Sequence, residues 1–158
     1  MAEYTVERSI TVNASSHLVH GLVNDFHNWT KWSPWEDLDP ALQRSYSGPE
    51  EGVGARYEWS GNRKAGQGAM EIQGSTPEEI DITVYFVKPF KATNQTSFKI
   101  TPSGQGTQIR WVMTGENKGV MALLGKVYSM ERMIGPDFEK GLARLKAVAE
   151  ETDASPAG

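Results

Sequence analysis

Two hydrophobic periods divide the chain. Near the start Tyr4, Val6, Ile10 and Val12 alternate with polar residues, and Arg8 is the one polar residue on their face. A two-residue period belongs to a half-buried strand, so Tyr4 to Val12 is read as strand one. Asn13 or Ser15 then offers a helix cap before Leu18, Val19, Leu22, Val23 and Phe26, whose spacing of mostly three and four predicts a short helix to about Phe26. Between His27 and Pro40, Trp29, Trp32 and Trp35 sit among prolines and charges, which predicts a structured turn or a second short helix.

From Ala41 the two-residue period returns. It predicts six strands: Ala41 to Ser47, Ala55 to Ser60, Gly68 to Gln73, Ile80 to Lys88, Thr93 to Thr101 and Thr107 to Glu116. Gly48-Pro49, Gly61-Asn62, Ser75-Thr76-Pro77 and Pro102-Ser103-Gly104 supply the turns between them. Within the strands Ile80, Ile82, Val84 and Phe86 share a face, as do Thr96, Phe98 and Ile100, and Ile109, Trp111 and Met113. From about Val120 to Glu150 the period changes to helical, with Leu124, Val127, Met130, Ile134, Phe138, Leu142, Leu145 and Val148 on one stripe. Gly135-Pro136 predicts a kink in this helix, or two helices meeting there. Residues 152–158 have little to bury and are expected to be disordered, leaving one domain over residues 1–151.

Seven antiparallel strands with one apolar face need a cover, and the long final helix is the largest one available. Side chains of a straight helix do not fill a strongly curved sheet, so a cavity between the two is expected.

Charge and composition narrow the partners. The 158 residues carry 16 Lys and Arg against 20 Asp and Glu, a formal net charge of -4, so no cation surplus exists for a phosphate backbone and nucleic acid is excluded. There are no cysteines, hence no disulfide framework or zinc-thiolate site. The first nine residues form no signal-peptide core, and no apolar run reaches the ~18 residues of a membrane span, so a cytoplasmic protein without integral membrane association is expected.

Several local motifs agree with this order of elements: Val6-Glu-Arg8-Ser-Ile10, Trp29-Thr-Lys-Trp32-Ser-Pro34-Trp35, Gly52-Val-Gly54-Ala-Arg-Tyr57-Glu-Trp59, Gly66-Gln-Gly68-Ala-Met70-Glu-Ile72, Gly106-Thr107-Gln-Ile-Arg-Trp111 and Gly141-Leu-Ala-Arg-Leu145-Lys. From Tyr4 to Glu150 the chain resembles the START-like, or SRPBCC, superfamily, in its bacterial polyketide cyclase/dehydrase-like branch. The resemblance implies an α+β helix-grip fold, a curved seven-stranded antiparallel sheet around a long C-terminal helix with two short helices after strand one. It also implies a small hydrophobic ligand, lipid, quinone or polyketide-like, in a carrier or sensor role. The alternatives are a cyclase or dehydratase using the same cavity and a protein-interaction module, because a fold does not determine a function.

Candidate cavity residues follow from the inferred inward faces. Trp35, Tyr57, Trp59, Met70 and Ile72 come from the first half, and Val84, Phe86, Phe98, Trp111 and Met113 from the later strands. Val127, Met130 and Ile134 come from the helix. Trp29 and Trp32 are read instead as anchors of the early helical turn. His27, Tyr57 and Glu131 are the candidate acids or bases for a cyclase. Glu58, Glu71, Asp81 and Arg110 alternate outward, to solvent. Asn62, Arg63 and Lys64 are placed to cap the cavity mouth. His17, His20, Asp25 and His27 lack the pattern of a known zinc motif, so no metal is assigned, and no glycine pair opens a helix to bind a phosphate; no cofactor is expected. The chain is read as a monomer or homodimer.

Overall fold

The computed structural model describes residues 3–35, 39–62, 66–88, 91–104, 106–116 and 130–154. Val127, Arg63, Lys64 and the predicted helix start near Val120 lie outside them, as do the side chains of Met130 and Glu131.

The seven strands are β1 (Glu3–Val12), β2 (Gln43–Ser47), β3 (Arg56–Ser60), β4 (Gln67–Thr76), β5 (Glu79–Lys88), β6 (Ala92–Ser103) and β7 (Gly106–Glu116). They form one antiparallel sheet in the order β1-β7-β6-β5-β4-β3-β2. Six consecutive strands make the meander, and β1 closes onto the last of them. Helix α1 (Ser16–Asn24) and a 3-10 helix (Phe26–Lys31) follow β1, and helix α2 (Met130–Ala154) ends the described chain. This is the helix-grip architecture. Among the described residues no helix is long and apolar enough to cross a membrane.

Local chemistry sets the boundaries. Ser15 caps α1 by accepting from the Leu18 amide, and α1 stops two residues short of Phe26 because Asp25 is extended. The Asp25 carboxylate accepts from the His27 amide and so opens the 3-10 helix, which takes Phe26. Strand β2 begins at Gln43 rather than Ala41 because Asp39 holds the turn before it, accepting from the Ala41 and Leu42 amides. Strand β4 runs on to Thr76 across an irregularity: Ile72 faces Ile82, Gly74 faces Asp81, and Gln73 is the extra residue.

Helix α2 is one helix through Gly135-Pro136, where a kink or the meeting of two helices was expected, and reaches Ala154, three residues into the expected tail. Its buried stripe is Phe138, Leu142, Leu145 and Ala149, the three-and-four period of the sequence. The helix lies chiefly against β1, with α1 beside it. At Gly135, Arg8 of β1 passes over the helix backbone to Glu139, one turn on, with Nε 2.9 Å from the carboxylate. Arg8 is therefore an inward residue with a partner on the covering helix, which accounts for the polar interruption in β1.

The pairing register divides the inner sheet face into transverse rows. Ile10, Ile109 and Ile100 form the first; Arg8, Trp111, Phe98 and Ile80 the second; Val6, Met113, Thr96, Ile82 and Ile72 the third. Tyr4, Gly115, Asn94, Val84, Met70, Tyr57 and Tyr46 form the fourth, which crosses the whole sheet. Ala92, Phe86, Gly68, Trp59 and Arg44 form the fifth.

Candidate functional site

The second row is solid. The Trp111 ring stacks on Phe138 of α2 with centroids 4.0 Å apart and planes 6° from parallel, and Phe98, Trp29, Trp32 and Trp35 pack around it. The Trp29 and Trp32 indole N–H groups donate to the Val23 and Leu22 carbonyls at the end of α1, so these two tryptophans tie the helical turn to the sheet. Gly141 of α2 fits here because a Cβ would stand 2.8 Å from Pro34 and 3.0 Å from the Trp111 ring. Of the predicted cavity residues, Phe98, Trp111 and Trp35 lie in this block. The Trp111 indole nitrogen is buried without a hydrogen-bond partner among the described residues.

Toward the fifth row the packing loosens. Ile72 and Ile82 in row three are sealed, whereas in row four Met70 and Val84 are 8% exposed and Tyr57 7%. Trp59 and Phe86 in row five are only partly buried. A chain of rings runs along this side: His27 stacks on Tyr46 at 4.0 Å, Tyr46 meets Tyr57 at 5.3 Å, Tyr57 meets Trp59 at 6.1 Å and Trp59 meets Phe86 at 5.9 Å. Trp59 lies over Gly68, where a Cβ would come within 2.6 Å of its ring. Gly68 thus serves packing. Ile134 on α2 is partly buried against the same core.

Titratable groups are sparse on this face. His27 sits at the end of the ring chain with its side chain 50% exposed, and its Nδ1 lies 2.7 Å from the Asp25 carboxylate. His20 lies 3.5 Å from the Ser75 hydroxyl, which donates to Asn24 at 2.6 Å. Among the described residues no three histidine or acidic side chains converge as metal ligands would. Glu58, Glu71 and Arg110 are on the outer face, where Arg56 pairs with both glutamates and Arg110 with Glu7. Asp81 accepts there from Ser97. The Asn62 amide donates to Asp39.

With this geometry in view, residues 3–150 match the family described as polyketide cyclase/dehydrase and lipid transport. The chain belongs to that family. Among curated proteins no sequence matches it. Solved structures with the same fold include protein CV1439 from Chromobacterium violaceum, 16% identical at a TM-score of 0.65, covering 92% of this chain and 96% of that one. Ara h 8.0201 is 15% identical at 0.60, covering 98% and 100%. DynU16, a putative protein of the dynemicin biosynthetic locus, is 14% identical at 0.65, covering 97% of this chain and 49% of that one. At these identities the likeness is one of fold, START-like and helix-grip.

In this family member the third and fourth rows also hold polar residues that sequence reasoning did not select as site residues. Tyr4 donates to the Asn94 carboxamide oxygen at 2.7 Å, and Thr96 follows Asn94 on the inner face of β6. The signal was present in the alternation Asn94, Thr96, Phe98, Ile100, whose first half is polar at inward positions. Burial raises the Tyr4 hydroxyl above its ordinary pKa.

Proposed function

We propose that the chain binds a small, mainly apolar molecule between rows three to five of the sheet and the helical cover, as a carrier or sensor. One observation carries the reading: the inner face passes from a sealed block in row two to apolar side chains that retain accessible surface in rows four and five. Met70, Val84, Tyr57, Trp59 and Phe86 are the residues expected to line it, with Met113 and Ile134 beside them. Apolar surface left open inside a fold is the usual ground for ligand binding.

The test is a thermal-shift and native-mass screen with naphthalenes, long-chain alcohols and quinones. A ligand at a hundred times its Kd should add about 2.7 kcal/mol, roughly 5–10 °C in melting temperature for a domain of this size. Val84→Trp, which fills row four, should keep the fold and lose the response. No stabilisation by any probe, or an undiminished response in the Val84 variant, would defeat the reading.

A second reading, a cyclase or dehydratase, draws on the His27 and Asp25 pair. A carboxylate on Nδ1 orients the ring and leaves Nε2 as a base, and Tyr57 stands two rings away. If His27→Gln and Tyr57→Phe leave turnover of a poly-β-keto thioester unchanged, these two residues have no catalytic role.

A further inference from the structure

Where rows three and four cross β6, two neutral polar side chains, Thr96 and Asn94, stand among aliphatic ones. Asn94 and Thr96 are each 4% exposed and are flanked across the strands by Val84, Ile82 and Met113. Two neutral polar side chains among aliphatic ones are costly to bury unless something satisfies them. Tyr4 satisfies part of Asn94. It sits two strands away, and its hydroxyl reaches the carboxamide oxygen only because Gly115 lies between them on β7: a Cβ there would stand 2.5 Å from both oxygens.

That bond orients the amide. With Oδ1 taken by Tyr4, the NH2 group is left as a pair of donors. Neither it nor the Thr96 hydroxyl has a hydrogen-bond partner among the described residues, and neither is sealed off as the Trp111 nitrogen is. Residues two apart on a strand stand about 7 Å apart on one face, so side chains that lean together by about 1 Å bring two donors within hydrogen bonds of ~3 Å of one shared atom. Among the described residues the cations of the inner face lie in other rows: Arg8 in row two, bound to Glu139, and Arg44 in row five on the opposite edge.

We propose that Asn94 and Thr96 form the polar end of the ligand site and bind a neutral carbonyl or hydroxyl oxygen of an otherwise apolar molecule, with Tyr4 as the positioning residue. This rests on the binding reading above. A carboxylate or phosphate head is disfavoured, because it would shed its water among aliphatic side chains and no described cation shares a row with the pair. The raised pKa of Tyr4, which comes from its burial, agrees with that cost.

The experiment compares 2-acetylnaphthalene with its apolar isostere 2-isopropenylnaphthalene and with 2-naphthoate, each titrated against the full chain by tryptophan fluorescence. Wild type should bind the ketone about tenfold more tightly than the isostere, the equivalent of ~1.4 kcal/mol. Naphthoate should be the weakest of the three. Thr96→Val, close to isosteric, and Asn94→Leu should each bring the ketone preference to about twofold or less while isostere affinity holds within about twofold. Tyr4→Phe should lower the preference without removing the isostere. A ketone preference that survives in the Thr96 variant, or naphthoate binding tighter than ketone, overturns the proposal. Failure of all three probes to bind wild type removes the underlying binding reading instead. If Asn94→Leu does not fold, the Thr96 variant decides alone.

Discussion

Trp32 and Trp111 share one aromatic cluster and are both fully buried, but among the described residues Trp32 has a partner for its indole N–H and Trp111 has none. Replacing either by phenylalanine removes similar ring volume. Trp32→Phe also strands the Leu22 carbonyl at the end of α1, whereas Trp111→Phe deletes a donor that was already unsatisfied. A lost buried hydrogen bond costs ~1–3 kcal/mol, so Trp32→Phe should be the more destabilising by about that amount. Urea denaturation midpoints of the two variants would check it, and equal losses would count against the assigned bonding. At this scale the sequence showed which residues are aromatic and that Trp29 and Trp32 anchor the helical turn. It could not show that Trp111 and Phe98 belong to the sealed block, because that depends on α2 lying over row two.

At the scale of elements, α2 carries two buried glycines with opposite tolerances. A Cβ on Gly135 meets the far end of the flexible Arg8 side chain, which can swing aside at the loss of an ion pair worth ~0.2–1 kcal/mol. Alanine gains ~1 kcal/mol of helix propensity over glycine, so Gly135→Ala should lie between neutral and about 0.8 kcal/mol stabilising. At Gly141 the same Cβ meets the Pro34 ring and Trp111, neither of which can move without disturbing the block. Overpacking of ~1–3 kcal/mol then outweighs the propensity gain, and Gly141→Ala should lower the melting temperature. The existence and order of the elements were legible from period alone. Where α1 stops was not, because Asp25 ends it through its backbone conformation and a side-chain bond to the next element. That α2 is one helix across Pro136, and not two, was equally hidden.

For the whole molecule, pH acts through two glutamates of opposite sign. Glu150, bound to Lys146 and to the Asn13 amide, joins the end of α2 to the loop after β1, and these bonds hold its pKa below the ordinary glutamate value. A depressed folded pKa means a stabilising contribution that is present above the unfolded pKa and lost as pH falls through the folded one. Glu79 is raised, first by a side-chain hydrogen bond with Asp81, so its contribution is present below the unfolded pKa and lost as pH rises through the folded one. Glu150→Gln should therefore destabilise at pH 7 and Glu79→Gln stabilise. Both differences from wild type should close as pH falls to about 2–3, where the carboxyl groups are protonated. Melting temperatures across that range would reveal the two signs, and a pH-independent offset would refute the linkage.

Alternation and helical period suffice for a strand, short helices, a meander and a covering helix, because each element advertises its apolar face within its own few residues. The aromatic and aliphatic wall from Tyr57 to Phe86 was legible in the same way. What lies opposite each face depends on register across strands distant in sequence. Tyr4 and Asn94, ninety positions apart, meet only because β1 and β6 flank β7 and Gly115 offers no side chain between them. Only the folded sheet could decide that juxtaposition, and with it which side chains of the inner face are fully buried and which keep some exposure, since neither leaves a mark in any local stretch of the chain.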